Sequence, residues 1–234
     1  MASYSFDAAT QVATVAIDDG KMNAFGFDMM SSFNAALDSA EADLPTGAGA
    51  LLVTSVGARA FSAGFDLDVM GNKDADPSTR QELLDAGIAL CERLFLFRRP
   101  VVLAASGHAL ALGAIILCCA DLRIGTDSEK AKVGLPEVAI GMQLPVFGVK
   151  LVEARLNSPS HYNNAVLLGD SFTTSEAVEA GFLDKIVPQE ELASHAAAEA
   201  ARLSEHCKGG FGQTKLYQRQ PIVDYIRQSG PAKL

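Results

Sequence analysis

The chain has 234 residues, of which 49% are hydrophobic and 20% are charged. This balance supports a sizeable folded core and excludes wholesale disorder. The formal net charge of −9 argues against nucleic acid or an anionic membrane surface as the main partner. It leaves room for an anionic ligand, because helix N-termini bind phosphate groups locally.

The first quarter of the chain alternates between strand and helix patterns. Residues 4–7 and 12–17 predict the two strands of a hairpin. Apolar side chains at helical spacing in residues 27–40 predict a helix, which a turn at residues 44–47 separates from the next segment. Residues 50–55 form a continuous apolar run, which is typical of a strand covered on both faces.

The middle of the chain contains a segment that is apolar enough to be mistaken for a membrane span. After a polar loop at 71–77 and a long helix at 78–97, residues 101–120 are nearly all apolar and long enough to cross a bilayer. Ser106-Gly107-His108 interrupts this run. We therefore predict a buried strand, a turn and a buried helix at 112–120, and no membrane span.

The remaining segments complete an α/β pattern. Residues 122–125 and 132–134 predict short strands. From residue 175 the chain is helical in pattern, and its last two predicted helices are residues 190–206 and 221–228. Strands that alternate with helices, followed by helices alone, predict an α/β core with a helical C-terminal subdomain. We place the core at residues 1–188 and the subdomain at residues 189–234.

Two turns rich in small residues are the most informative local features. Phe61-Ser62-Ala63-Gly64-Phe65-Asp66-Leu67 and the segment 106–113 each follow a strand and open a helix, and Glu137 follows the second turn. Helix starts carry unpaired N–H groups and the positive end of the helix dipole. Two such starts aimed at one point would hold an oxyanion, and a nearby glutamate would supply a base. This combination favours proton abstraction next to a carbonyl group.

These motifs resemble the crotonase superfamily of enoyl-CoA hydratases and isomerases, and the resemblance covers essentially the whole chain. It implies a spiral of ββα turns with a helical C-terminal oligomerisation subdomain, assembled as a homotrimer or a dimer of trimers. It also implies an acyl thioester of coenzyme A as substrate, with no other cofactor. By this resemblance the N–H groups of Phe65 and Leu112 hold the thioester carbonyl. The residues expected beside the adenine and the first turn of the site are Ala60, Phe61, Ser62, Ala63 and Gly64.

One departure from the family pattern distinguishes between its reactions. Hydratases of the family carry a second glutamate at the position of Ile115, so Glu137 stands alone here. The resemblance is therefore closest to the single-glutamate Δ3,Δ2-enoyl-CoA isomerases, in which one base moves a proton from C2 to C4. We expect Ile115 and Leu144 to be apolar wall residues that exclude water. Burial in such a pocket should raise the pKa of Glu137.

Other functions stay open at this point. The nearest enzymatic alternative is a hydratase (a lyase) or other enolate chemistry of the same family. An alternative of another class is an acyl-CoA-binding protein without turnover, which the leucine at position 112 and the missing second carboxylate would also suit. The histidines lack metal-ligand spacing, so no metal site is expected. We expect a cytoplasmic protein, because residues 1–6 do not resemble a signal peptide and the cysteines indicate reduced thiols.

Overall fold

The computed structural model describes residues 1–45, 48–57, 59–71 and 76–230. The predicted turn at 44–47 and the predicted loop at 71–77 lie partly outside these ranges. So does the end of the predicted C-terminal subdomain, at residues 231–234.

Strands and α-helices alternate along most of the described chain. The strands are β1 (Ala2–Asp7), β2 (Val12–Ile17), β3 (Ala50–Ser55), β4 (Ala60–Ser62), β5 (Val101–Ala105), β6 (His108–Leu110), β7 (Leu122–Thr126), β8 (Val133–Gly134), β9 (Ser171–Phe172) and β10 (Lys185–Val187). The helices are α1 (Phe27–Asp43), α2 (Leu67–Met70), α3 (Pro77–Phe95), α4 (Leu112–Cys119), α5 (Val146–Glu153), α6 (Pro159–Asn163), α7 (Thr174–Ala180), α8 (Leu192–His206) and α9 (Phe211–Gln228). Irregular helical turns occupy Val138–Ile140, Asn164–Leu168 and Gln189–Glu191.

The larger sheet has six strands in the order β1-β2-β3-β5-β7-β10. The predicted hairpin is confirmed: β1 and β2 pair antiparallel, with Ala2 opposite Ile17. All other neighbours in this sheet are parallel. The strands β3 and β5 are covered on both faces, since Leu51 and Val53 belong to the main core whereas Leu52 and Val102 pack with α8 on the other side.

The smaller sheet has four strands in the order β4-β6-β8-β9. In it β4, β6 and β8 run parallel to one another, and β9 is antiparallel to β8. The apolar run at 101–120 confirms the predicted buried strand, β5, and the predicted helix, α4, which is wholly buried. The predicted turn between them also contains a short strand, β6, which was not predicted. No helix in the described ranges combines the length and the hydropathy needed to span a membrane.

The C-terminal helices pack directly on the rest of the fold. Helix α8 covers one face of the larger sheet, and Val223 and Ile226 of α9 join the main core. The α/β fold with a helical C-terminal part is confirmed, whereas the division at residue 188 stays a prediction. Helix α9 begins at Phe211, ten residues before the predicted start, and runs through Pro221. The helices α5 and α6 are not among the predicted elements.

Candidate active site

The first turn of the site leaves β4 and is held by buried polar side chains. The Ser62 hydroxyl donates to the carbonyl of Asn23 (2.8 Å) and accepts from the N–H of Gly64 (3.0 Å). The Asn23 amide in turn donates to the carbonyl of Ala60 (3.0 Å). Gly64 adopts a φ of +99°, a conformation that side chains rarely tolerate. These contacts set the direction in which Phe65 leaves the turn.

Phe65 is fixed by a short parallel bridge to Phe25. The N–H of Phe25 donates to the carbonyl of Gly64 (2.8 Å), and the N–H of Asp66 donates to the carbonyl of Phe25 (3.2 Å). The Phe65 ring packs against α3, where a Cβ at Gly87 would lie only 2.6 Å from Phe65 Cζ. Among the described residues, no acceptor is assigned to the N–H of Phe65. This group is therefore available to a ligand.

The second turn has a strained residue at its tip. Ala111, the residue before α4, adopts φ 53° and ψ −125°, a conformation that is unfavourable for a residue with a Cβ. Its N–H donates to the carbonyl of Gly134 (3.0 Å), and its carbonyl accepts from the N–H groups of Ala114 and Ile115. Leu112 is thus the first residue of the helix. Within the described chain its N–H has no assigned acceptor, as expected at a helix start.

The two turns meet at Gly64. A Cβ added there would lie 2.7 Å from Ala111 Cβ and 3.3 Å from the Leu112 nitrogen. A second close approach joins α4 to the first turn, since a Cβ at Gly113 would lie 2.6 Å from the Ser62 carbonyl oxygen. The predicted convergence of the turns that carry Phe65 and Leu112 is therefore present in the fold.

The smaller sheet also brings Glu137 to this place. Ser62 pairs with Ala109, and Leu110 pairs with Gly134, so β4, β6 and β8 end at the same edge. Phe65, Leu112 and Glu137 each follow their strand by two or three residues. The carboxyl ends of adjacent parallel strands are a common place for binding sites in α/β folds. Three residues that are far apart in sequence thus leave the sheet side by side.

Glu137 has the electrostatic properties of a general base. It immediately precedes the turn Val138–Ile140, and its Oε2 is buried without a hydrogen-bond partner among the described residues. Desolvation by burial raises the pKa of Glu137 to about 7, as the sequence predicts in direction. A carboxyl group with this pKa can both accept and return a proton near neutral pH.

The two predicted wall residues lie together. A Cβ at Gly148 on α5 would meet Ile115 Cδ1 at 2.9 Å and Leu144 Cδ1 at 3.1 Å. Ile115 is 1% exposed and Leu144 is 8% exposed. The Leu112 side chain is also buried in the core, so this residue can offer a ligand only its backbone.

The remaining predicted binding residues divide into buried and accessible ones. Ala60, Phe61 and Ser62 are buried, so their side chains shape the turn from inside. Ala63 and Phe65 line an open cleft of about 840 Å³ that also borders the starts of α1 and α2. This cleft and the polar support from Asn23 were not predicted from the sequence. The available signal was an asparagine between the apolar residues Met22 and Ala24.

Comparisons with known proteins identify the family of the chain. The sequence model of the family described as "Enoyl-CoA hydratase/isomerase" matches residues 7–220. The chain is 29% identical over 163 residues to 2,3-dehydroadipyl-CoA hydratase of Escherichia coli, covering 70% of this chain but only 61% of that protein. It is 27% identical over 220 residues to mitochondrial enoyl-CoA delta isomerase 1 of Rattus norvegicus, covering 92% of this chain and 73% of the isomerase.

A solved structure is similar over nearly the whole chain. It is the apo form of a Mycobacterium tuberculosis protein described as an enoyl-CoA isomerase, with 34% identity and a TM-score of 0.88. The match covers 97% of this chain and 94% of that one. A second structure of the same protein is described as a probable enoyl-CoA hydratase. Relatives of this chain are therefore described both as isomerases and as hydratases.

Proposed function

Because the chain belongs to the enoyl-CoA hydratase/isomerase family, we propose that it isomerises 3-enoyl-CoA thioesters to 2-enoyl-CoA thioesters. Glu137 is the base in this proposal, and the N–H groups of Phe65 and Leu112 hold the thioester oxygen. Coenzyme A takes part as the carrier of the substrate, and no further cofactor is required.

The reaction needs one base that moves one proton. Glu137 removes a proton from C2, and the electron pair of that C–H bond moves through the carbonyl group to its oxygen. The dienolate oxygen is held by the N–H groups of Phe65 and Leu112, each of which is worth roughly 2.7–4 kcal/mol in such a site. The protonated Glu137 then returns the proton at C4. The double bond consequently shifts to C2–C3 with no net gain or loss of atoms.

The observation that carries this proposal is the desolvated carboxyl group of Glu137. Glu137 combines a pKa of about 7 with an unpartnered oxygen. On α4, the residue that faces Gly148 is the aliphatic Ile115. Apolar walls support isomerisation because they exclude water, which would otherwise compete for the intermediate. Ile115 and Leu144 are buried side by side and suit this purpose.

Hydration of a 2-enoyl-CoA is the second candidate, since several relatives are described as hydratases. That reaction adds water across the double bond and needs a group that positions the water. The family places a second glutamate for this purpose where this chain has Ile115. An acyl-CoA-binding protein without turnover is the remaining candidate, and the assay below distinguishes all three.

We also propose a cytoplasmic homotrimer or dimer of trimers. Free cysteines, such as the buried Cys91, suit a reducing compartment. The helical turns Val138–Ile140 and Asn164–Leu168 contact one another near Glu137. Both expose large apolar side chains to solvent, which is typical of a surface that is covered in an assembly. These side chains are Val138, Ile140, Leu167 and Leu168. Light scattering coupled to size-exclusion chromatography would test the trimer.

The decisive assay follows the ultraviolet absorbance of the conjugated thioester. With a 3-enoyl-CoA, an isomerase increases this absorbance, and Glu137→Gln should abolish the increase. With a 2-enoyl-CoA, a hydratase decreases it. No change with either substrate, together with confirmed binding of CoA thioesters, would contradict both reactions and leave the binding protein.

A further inference from the structure

The helix α4 connects the proposed oxyanion site with a cluster of buried charges at its other end. The N–H of Leu112 lies at its first residue, and all eight residues of the helix are buried and uncharged. At 1.5 Å per residue, the two ends of the helix lie roughly 12 Å apart. A charge at one end is therefore screened only weakly at the other.

Two arginines from other parts of the chain donate to the last carbonyl groups of α4. Arg155, which follows α5, donates from Nε to the carbonyl of Cys118 (2.8 Å) and from Nη2 to the carbonyl of Ala120. Arg219 of α9 donates from Nη1 to the carbonyl of Cys119 (3.0 Å). Such carbonyl groups lack partners within a helix and carry the negative end of its dipole. The two guanidinium groups therefore neutralise that end.

The described cluster around these arginines contains four cations and two carboxylates. Its members are Arg123, Arg155, Lys215, Arg219, Asp121 and Asp184. The two carboxylates pair with the other three cations and not with Arg155. In the described chain, the assigned acceptors of Arg155 are carbonyl groups. The cluster thus holds an excess of two positive charges, although the whole chain has a net charge of −9.

This excess of positive charge is not needed for hydrogen bonding to α4. A neutral amide side chain could donate to the same carbonyl groups, whereas a buried cation without a counter-charge is costly to desolvate. Desolvation lowers the pKa of Arg155 and lowers that of Lys215 to about 8. Desolvation raises the pKa of the Cys118 thiol to about 12, and the charges of Arg123 and Arg155 oppose that rise. The charges of the cluster therefore act on groups inside α4.

We propose that Arg155 is a positioning residue of the reaction, whose unpaired positive charge acts through α4 to stabilise the dienolate oxygen at the Leu112 N–H. Negative charge develops at the N-terminal end of α4, and a cation in the same low-dielectric interior lowers its energy. At an effective dielectric constant of ~20 and a separation of roughly 15 Å, one unit charge changes kcat about three- to tenfold. This inference rests on the proposed function, because it takes the Leu112 N–H as a donor to the thioester oxygen.

Removal of Asp184, a negative charge of the same cluster, distinguishes electrostatic support from a purely structural role. Its loss increases the excess of positive charge, so electrostatic support predicts stronger stabilisation of the dienolate oxygen. A purely structural role predicts a loss in both Arg155→Gln and Asp184→Asn, because each variant weakens buried hydrogen bonds. The two roles therefore predict effects of opposite sign for Asp184→Asn.

Turnover of a 3-enoyl-CoA measures the effect on the reaction. Arg155→Gln removes the charge and keeps a hydrogen-bond donor, so kcat should fall about three- to tenfold while KM changes less than about twofold. Arg155→Lys keeps the charge and should restore most of kcat. Arg99→Gln is the matched control, since Arg99 also donates to carbonyl groups, but to those of Pro45 and Ala48 outside α4. It should have the native kcat.

The absorption maximum of bound p-dimethylaminocinnamoyl-CoA reports the same electrostatic effect without turnover. Excitation of this chromophore moves electron density from the amine to the thioester oxygen, so positive charge near that oxygen shifts the maximum to longer wavelength. Relative to the native complex, we expect a shift to shorter wavelength in Arg155→Gln and to longer wavelength in Asp184→Asn. Arg99→Gln should show no shift. Circular dichroism would check that each variant is folded.

The outcomes separate this inference from the proposed reaction. Asp184→Asn keeps the inference testable if Arg155→Gln does not fold, and a maximum that stays constant or moves to shorter wavelength in Asp184→Asn would overturn it. Isomerase activity that does not change in folded Arg155→Gln would keep the reaction and reject the role of Arg155. Wavelength shifts of opposite sign without isomerisation would keep the electrostatic support and reject the reaction.

Discussion

Gly64 lies so close to Leu112 that a single added carbon would fill the space between the two turns of the site. A Cβ at residue 64 would be 3.3 Å from the Leu112 nitrogen and 2.7 Å from Ala111 Cβ. Gly64 also adopts a φ of +99°. Glycine tolerates this backbone conformation, whereas residues with a Cβ avoid it. Both the conformation and the close approach therefore require glycine.

Gly64→Ala should separate the two oxyanion donors. We expect a loss of about 1–3 kcal/mol in the free energy of unfolding, from backbone strain and the close contact. We also expect kcat to fall about 100-fold or more, as when one oxyanion donor is lost. Urea unfolding and the absorbance assay would measure the two effects. Gly57→Ala is the control, since Gly57 has φ +80° and, among the described residues beyond its chain neighbours, no atom lies within 4 Å of its Cβ position. This variant should lose stability with little change in kcat.

The pKa of Glu137 predicts the pH dependence of the reaction. Only the ionised carboxylate can accept the C2 proton, so kcat/KM should rise with pH through about 7 and reach a plateau above it. A pH profile of the native protein would show this limb. A limb near pH 4.5, the ordinary value for glutamate, would contradict the role of burial at this position.

The same pKa predicts the pH dependence of stability. Because the folded-state pKa of Glu137 is raised above its ordinary value, the folded state favours the protonated form. The protonated Glu137 therefore contributes favourably to the free energy of unfolding below about pH 4.5, and this contribution is lost as pH rises through about 7. Glu137→Gln should therefore be more stable than the native protein at pH 8, by on the order of 1–3 kcal/mol. Equal stabilities at pH 8 would contradict the proposed burial of the charge.

Ala111→Gly should stabilise the protein. Ala111 holds φ 53° and ψ −125°, and relief of this strain is worth about 1–3 kcal/mol. The greater entropy of glycine in the unfolded chain offsets about 0.5–1 kcal/mol of it. We expect a net gain near 1 kcal/mol, or about 2–4 °C in Tm. The control is Ala109→Gly, in the adjacent strand β6, which should lower Tm.

Ile115→Glu should introduce hydratase activity if the second carboxylate of hydratases occupies this place. Ile115 is 1% exposed, so the variant should also lose several kcal/mol of stability because it buries a polar group. The absorbance of a 2-enoyl-CoA would report hydration in folded protein, with folding checked by circular dichroism. Ile115→Gln carries the same volume without the charge and should not hydrate the substrate.

The buried ion pairs of α9 predict how firmly the C-terminal helix is held. Lys215 and Arg219 donate to the two carboxylate oxygens of Asp121, at 2.6 and 2.5 Å, and desolvation lowers the pKa of Lys215 to about 8. Asp121→Asn should cost about 3–5 kcal/mol, since it leaves buried cations without a counter-charge. Asp38→Asn removes an exposed partner of Arg93 and should cost at most about 1 kcal/mol. Urea unfolding of both variants would check this contrast.

Much of the local structure follows from local patterns. The hairpin of β1 and β2, the buried strand β5 and the apolar helix α4 all lie where periodicity and the interrupting Ser106-Gly107-His108 place them. The start of α9 could not be predicted in this way. The predicted helix starts at residue 221, whereas Pro221 lies inside α9. Proline is tolerated best in the first turn of a helix, so the local pattern favours a start that the folded chain does not use.

The order of residues along the chain predicts which groups can take part in the chemistry: two helix starts with free N–H groups, one carboxylate, and an aliphatic residue at position 115. It also determined the α/β class, because alternating strand and helix patterns are local properties of the chain. That Phe65, Leu112 and Glu137 leave one edge of the smaller sheet together follows from strand pairing in the folded chain, which local patterns do not specify. Pairing between β4, β6 and β8 joins segments tens of residues apart, and short strands carry no pattern that specifies their neighbours. The open cleft beside Phe65 arises for the same reason, since it borders the starts of α1 and α2, which meet only in the folded chain.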